Sequence, residues 1–117
     1  MLAVRLVIDT NVLVSAALKS ESLQRTTFIL AITKPARLYI SKPILEEYAE
    51  VLSRPELSIR KGLRLQFLQL IRNRARVIAP YRRIEAASDP DDNIFLECAD
   101  AARADFLVTG NRKHFPA

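Results

Sequence analysis

The chain alternates short apolar runs with amphipathic stretches. Residues 3 to 8 (Ala-Val-Arg-Leu-Val-Ile) are β-branched and apolar and predict a buried strand. Asp9-Thr10-Asn11 then signals a turn into a helix. Helices are predicted over 11–19 and 22–34, the second capped by Ser22. Leu38 to Ile40 reads as a second strand, followed by Ser41 as N-cap with Pro43 in the first helical turn. The helix that follows, to about Ser53, places Leu45, Tyr48, Ala49 and Leu52 on one face, and Arg54-Pro55 ends it. A further helix over 60–74 turns Leu63, Phe67, Leu70 and Ile71 inward. Residues 76–79 form a third predicted strand, closed by Pro80. After a loop to Asp89, Pro90 opens a helix through Ala104, 106–109 form a fourth strand, and Gly110 turns the chain.

Strands separated by helices imply a parallel sheet covered on both faces, a three-layer α/β/α architecture with right-handed crossovers. The 117 residues fit a single domain, 1–117. No G-x-G-x-x-G follows the first strand and no P-loop occurs, so the layering is Rossmann-like without a dinucleotide or P-loop site.

Composition narrows the class. Half the residues are hydrophobic and 26% charged, the balance of a folded globular chain. Arg5, Asp9, Lys19 and other charges interrupt every apolar run that approaches membrane-span length. With one cysteine, Cys98, and no signal-peptide pattern at the start, the expected location is cytoplasmic. Net charge is +5, unevenly spread. Arg54, Arg60, Lys61, Arg64, Arg72, Arg74, Arg76, Arg82 and Arg83 face one acid, Glu56, in residues 54–83. Acids dominate 84–105: Glu85, Asp89, Asp91, Asp92, Glu97, Asp100 and Asp105. That pattern suits a polyanion-binding surface beside a cation site, and equally suits two solvated helix faces.

Ligand sites of parallel sheets form at the carboxyl ends of strands. Asp9 follows strand one, Glu46 and Glu47 lie in the first two turns of the helix after strand two, Asp89, Asp91 and Asp92 lie at the start of the helix after strand three, and Asn111 follows strand four. Oxygen groups gathered on one edge repel one another unless a hard cation such as Mg²⁺ or Mn²⁺ lies between them. The lone cysteine and His114 lack zinc-ligand spacing. Each acid also has a plain structural use. Asp9 would cap its helix, and Asp89-Pro90-x-Asp92 is a helix-start signature with Asp89 at N-cap. Three neighbouring acids exceed what capping requires, which points to Asp92 as a ligand. Glu50 lies opposite the apolar arc, whereas Glu46 and Glu47 lie at its two margins, and periodicity does not choose between them. Cys98 reads as a core residue and His114 as a surface or packing residue.

Three blocks, VIDTNVLVSAAL, SKPILEEYAEVLSRP and DPDDNIFLECADAARADFLVTGN, resemble in order and spacing the PIN domain, and within it the toxin component of bacterial toxin–antitoxin systems, similar to VapC. The resemblance implies a central parallel sheet of four strands, or five where the family's last strand is present; this chain stops at Pro116-Ala117, short of that strand. It also implies a Mg²⁺- or Mn²⁺-dependent endoribonuclease that leaves 5′-phosphate and 3′-hydroxyl ends. Carried over by position, the catalytic and metal-binding residues are Asp9, Glu47, Asp92 and Asn111, supported by Thr10, Asn11, Asp89 and Thr109. Arg112 and Lys113 are placed to grip RNA phosphates. The family's last block usually ends Thr-Gly-Asp; here it is Thr109-Gly110-Asn111, one negative charge fewer. Expected partners are an RNA substrate, a cognate antitoxin and a second copy of the chain, with no membrane. The competing reading is a non-catalytic nucleic-acid- or partner-binding domain on the same fold.

Overall fold

The computed structural model describes residues 3–80, 83 and 92–110. Among the described residues the strands are β1 (Arg5–Ile8), β2 (Arg37–Ile40), β3 (Arg76–Val77) and β4 (Phe106–Val108). The α-helices of these residues are α1 (Thr10–Leu18), α2 (Leu23–Ala31), α3 (Lys42–Leu52), α4 (Lys61–Arg74) and α5 (Asn93–Ala102). The sheet is parallel throughout, in the order β3-β2-β1-β4. Arg5 pairs with Arg37 between β1 and β2, Ile8 with Val108 between β1 and β4, and Ile40 with Val77 between β2 and β3. With helices crossing over between the strands, the fold is the three-layer α/β/α arrangement expected from the alternating pattern.

The core forms where β1 and β2 meet the inward helix faces. Val7, Ile8, Leu38 and Ile40 are buried with Ile44, Tyr48 and Leu52 of α3, Phe67, Leu68 and Ile71 of α4, and Phe95 and Cys98 of α5. The Phe28 and Phe67 rings stack 4.8 Å apart, 9° from parallel, which joins α2 to α4. Arg25 adds a second tie. Its guanidinium donates to the Ala16 and Ala17 carbonyls at the end of α1 (2.6 and 3.3 Å) and lies 5.3 Å from the centre of the Phe67 ring.

The predicted caps are present: Ser22 Oγ accepts from Arg25 N at 3.0 Å, and Ser41 Oγ accepts from Ile44 N at 3.3 Å. Several boundaries differ from expectation. The second helix stops at Ala31, not at residue 34, because Ile32 and Thr33 bend back onto Phe28 and Leu30, and Pro35 disfavours a helical Lys34. The third strand has two residues, followed by one further bond from Ile78 N to the Ile40 carbonyl. Arg103 adopts φ 51°, ending α5 two residues before Ala104. A one-turn 3₁₀ helix, Pro55–Leu57, follows α3 where the sequence showed only a stop. Within α4, Leu68 is buried and Leu63 and Leu70 only partly so. The predicted helix start at Asp89-Pro90 lies outside the described residues.

Candidate active site

The order β3-β2-β1-β4 means that the chain leaves β1 toward one side of the sheet and returns for β4 on the other. The crevice at such a switch point, beyond the strands' carboxyl ends, is where open parallel sheets bind ligands. Asp9 follows β1 and Thr109 follows β4, so both stand there.

Asp9 is held from four directions. Its N–H donates to the Val108 carbonyl at 3.0 Å, and its own carbonyl accepts from Leu13 N at 3.3 Å. Carboxylate Oδ1 accepts from Val12 N at 2.9 Å, capping α1, and Oδ2 accepts from the Thr109 hydroxyl. The capping role foreseen for Asp9 is therefore real, and it uses one oxygen. Only 3% of the residue is exposed. Among the described residues its hydrogen-bond donors are all neutral. A carboxylate buried among neutral donors keeps a strong local demand for positive charge.

Glu47 and Glu46 part company in three dimensions. Glu46 is exposed, whereas Glu47 is half-buried and its Oε2 accepts from the Thr10 hydroxyl. Glu50 faces solvent and pairs with Arg54 at 3.0 Å, away from the site. Two threonine–carboxylate clasps, Thr109 on Asp9 and Thr10 on Glu47, thus flank the start of α1.

Tyr48 connects them, a residue that the sequence pattern assigned only to the apolar face of α3. Its buried hydroxyl donates to the Ile8 carbonyl, at the last residue before Asp9. Its pKa is raised well above the usual tyrosine value, first by burial and then by the negative fields of Cys98, Asp9 and Glu47. Both carboxylates therefore act on one buried phenol. A tyrosine in place of phenylalanine at an inward position, next to an acid, was the available signal, since a buried phenol seeks a polar partner. Burial likewise pushes the Cys98 thiol up to about 12, as a core residue requires.

Asp92 stands immediately before α5, partly buried, with Oδ2 sealed from solvent. It makes no capping hydrogen bond to α5. One turn on, Phe95 packs against the Tyr48 ring with centroids 6.4 Å apart, so α5 meets α3 beside the Ile8–Asp9 corner. Asn111, Asp89, Arg112 and Lys113 lie outside the described residues. Among the described residues, no three His, Cys, Asp or Glu side chains are grouped closely enough to hold a metal ion. None of the described helices is long and apolar enough to cross a membrane.

A search of curated proteins finds no match to the chain. The family profile for the PIN domain matches residues 5–113, a span that contains all four strands and the Asp9, Glu47 and Asp92 positions. The chain belongs to the PIN-domain family.

Proposed function

We infer a nuclease from the family and its fold: PIN domains are typically nucleases that use divalent metal ions, and this chain has the family's parallel sheet. We propose that it is a Mg²⁺- or Mn²⁺-dependent endoribonuclease and the toxin of a toxin–antitoxin pair. The observation that carries the nuclease reading is Asp9: a nearly buried carboxylate at the sheet's switch point, held only by neutral donors among the described residues. The donor chemistry fits a hard cation, because Asp9, Glu47, Asp92 and Asn111 offer oxygen alone. When bound there, such a cation lowers the pKa of a water and neutralises charge on the phosphate under attack.

The chain's own residues prepare the site. Thr109 and the α1 N-terminus fix both oxygens of Asp9, and Thr10 fixes Glu47, so little reorganisation remains when the cation and substrate arrive. Asp92 and Asn111 complete the donor set, Asn11 and Asp89 shape its surroundings, and Arg112 and Lys113 grip the phosphates of the strand being cut. Cleavage leaves 5′-phosphate and 3′-hydroxyl ends. The test is cleavage of a panel of structured RNAs with and without Mn²⁺. The wild-type chain cuts only with the ion, and equal cutting by the Asp9→Asn/Asp92→Asn double variant overturns the enzymatic reading.

The toxin role is supported by the resemblance of the three sequence blocks to that branch of the family. Expression alone should arrest growth, and co-expression of a small DNA-binding protein from the adjacent reading frame should relieve it. Homodimerisation belongs to the same proposal. Leu23 and Leu30, two turns apart on α2, are 78% and 61% exposed and offer apolar surface. Sedimentation velocity at the mass of one chain overturns the dimer.

One observation favours a second reading, a PIN domain that binds RNA or a partner without cutting. No three acids are grouped among the described residues, and Asn111 replaces the family's usual acid. Calorimetric titration separates the two: no Mn²⁺ uptake together with retained RNA binding selects the second.

A further inference from the structure

Beside the Asp9 corner lies an open cavity of about 200 Å³, lined by Asn11, Val12, Ser15, Gln24 and Gly110. It adjoins the site directly. Asn11 is two residues from Asp9 on α1, and Gly110 follows the threonine that clasps Asp9. Asn11 and Ser15 are four residues apart on α1 and so share a face; Gln24, in the first turn of α2, supplies the facing wall. Val12, buried, contributes an apolar surface.

The lining chemistry limits the occupant. Other cavities of the surface carry charge, one through Arg5, Arg103 and Asp105 and another through Lys34, Arg37 and Arg74. Among the described residues, this one carries none. No cation of the described residues lines the cavity, and the Asp9 carboxylate already occupies the N-terminus of α1, which argues against a phosphate there. What remains are two carboxamides and a hydroxyl, and none of these side chains is hydrogen-bonded to another described residue. Each carboxamide presents a donor and an acceptor at fixed spacing, which suits a base edge that presents the complementary pair. The volume is below that of drug-sized pockets, roughly 300 Å³ and up, and admits one ring system only.

We propose that this cavity is a subsite for one unpaired nucleobase flanking the phosphate to be cut, adenine being the base its carboxamides suit best; the proposal rests on the nuclease reading above. Single-stranded RNA is read in this way, with a splayed base set against apolar surface and its edge hydrogen-bonded. Asn11 and Gln24 read the edge, Ser15 supplies a third polar contact, and Val12 meets the ring. The subsite converts a backbone-cutting site into one that chooses where along a strand to cut.

The test is a titration of the ¹⁵N-labelled full chain, in Ca²⁺, with RNA trinucleotides that carry each of the four bases or an abasic ribose at the centre. The side-chain amide signals of Asn11 and Gln24 should shift saturably with the base-containing probes, adenine binding tightest and the abasic probe at least fivefold weaker. Gln24→Ala should weaken the adenine probe about tenfold, within the range of one lost carboxamide–base pair, and leave the abasic probe's affinity unchanged. Ser15→Ala should weaken it in the same direction and by less. Amide signals that stay still, or an abasic probe that binds as tightly as the others, overturn the subsite. If the amides respond but wild-type chain cuts no RNA in the panel, the nuclease reading falls and the base site stands. If RNA is cut while the amides stay still, the subsite alone falls.

Discussion

Replacing Asp9 by asparagine separates its two uses. Asparagine caps helices as well as aspartate, and its amide still meets Val12 N and the Thr109 hydroxyl, so the α1 start survives. The buried charge does not survive. The melting temperature of Asp9→Asn without divalent ions should match or exceed that of the wild type, and Mn²⁺, which under the proposed function should raise the wild type's melting temperature, should leave the variant's unchanged. Asp9→Ala should instead lose about 1 kcal/mol through the missing cap, in calorimetry under the same metal-free conditions. At Tyr48 the geometry predicts a different signature. Tyr48→Phe removes the donor to the Ile8 carbonyl and should cost about 1–3 kcal/mol in denaturant unfolding. Because folding raises the Tyr48 pKa, its contribution is complete below the unfolded value near ~10 and is lost as pH climbs above it. The variant's stability should therefore decline less steeply above about pH 10 than the wild type's. Asp9 was legible as a strand-end acid with a capping role. That Glu47 bonds Thr10 while Glu46 is exposed was not legible in the helical period, since both lie at the margins of one helical arc.

At the scale of elements, α1 carries the site and is anchored at both ends. Asp9 fixes its start, and Arg25 of α2 covers two of its last carbonyls while lying over Phe67 of α4. Arg25→Ala should lower stability by about 1–3 kcal/mol, read as a shift of the urea midpoint, and Arg25→Lys should recover only part because lysine lacks the planar fork. Helix and strand identities followed from hydrophobic period; their ends did not. The second helix stops where Pro35 and the Thr33 hydroxyl act, and the latter donates to the Ile29 carbonyl at 2.5 Å. That bond depends on local geometry that an apolar repeat does not encode. The last strand ends at Val108 because Thr109 turns its hydroxyl to Asp9, a contact between residues one hundred positions apart.

For the whole molecule, a net charge of +5 makes salt the decisive variable for the RNA binding proposed above. Affinity measured by fluorescence anisotropy should fall linearly on a log–log plot between 50 and 200 mM salt, with a slope near −0.7 for each phosphate contacted. A flat plot would remove the polyanion reading of the basic residues. Charge along the sequence did not reveal their distribution in space. Arg37 and Arg74 line a shared cavity with Lys34 where β2 begins, at the sheet edge opposite Asp9, so not every cation of the basic segment borders the acids.

β4 is latched to β1 at both extremities. Below, Arg5 N donates to the Asp105 carboxylate and Asp105 N to the Arg5 carbonyl, each at 2.8 Å; above, Thr109 clasps Asp9. The corner after β1 is therefore complete only when β4, about a hundred residues further along the chain, is in place. A nascent chain halted before residue 109 holds Asp9 without its clasp, so the corner is finished only once Thr109 has been made.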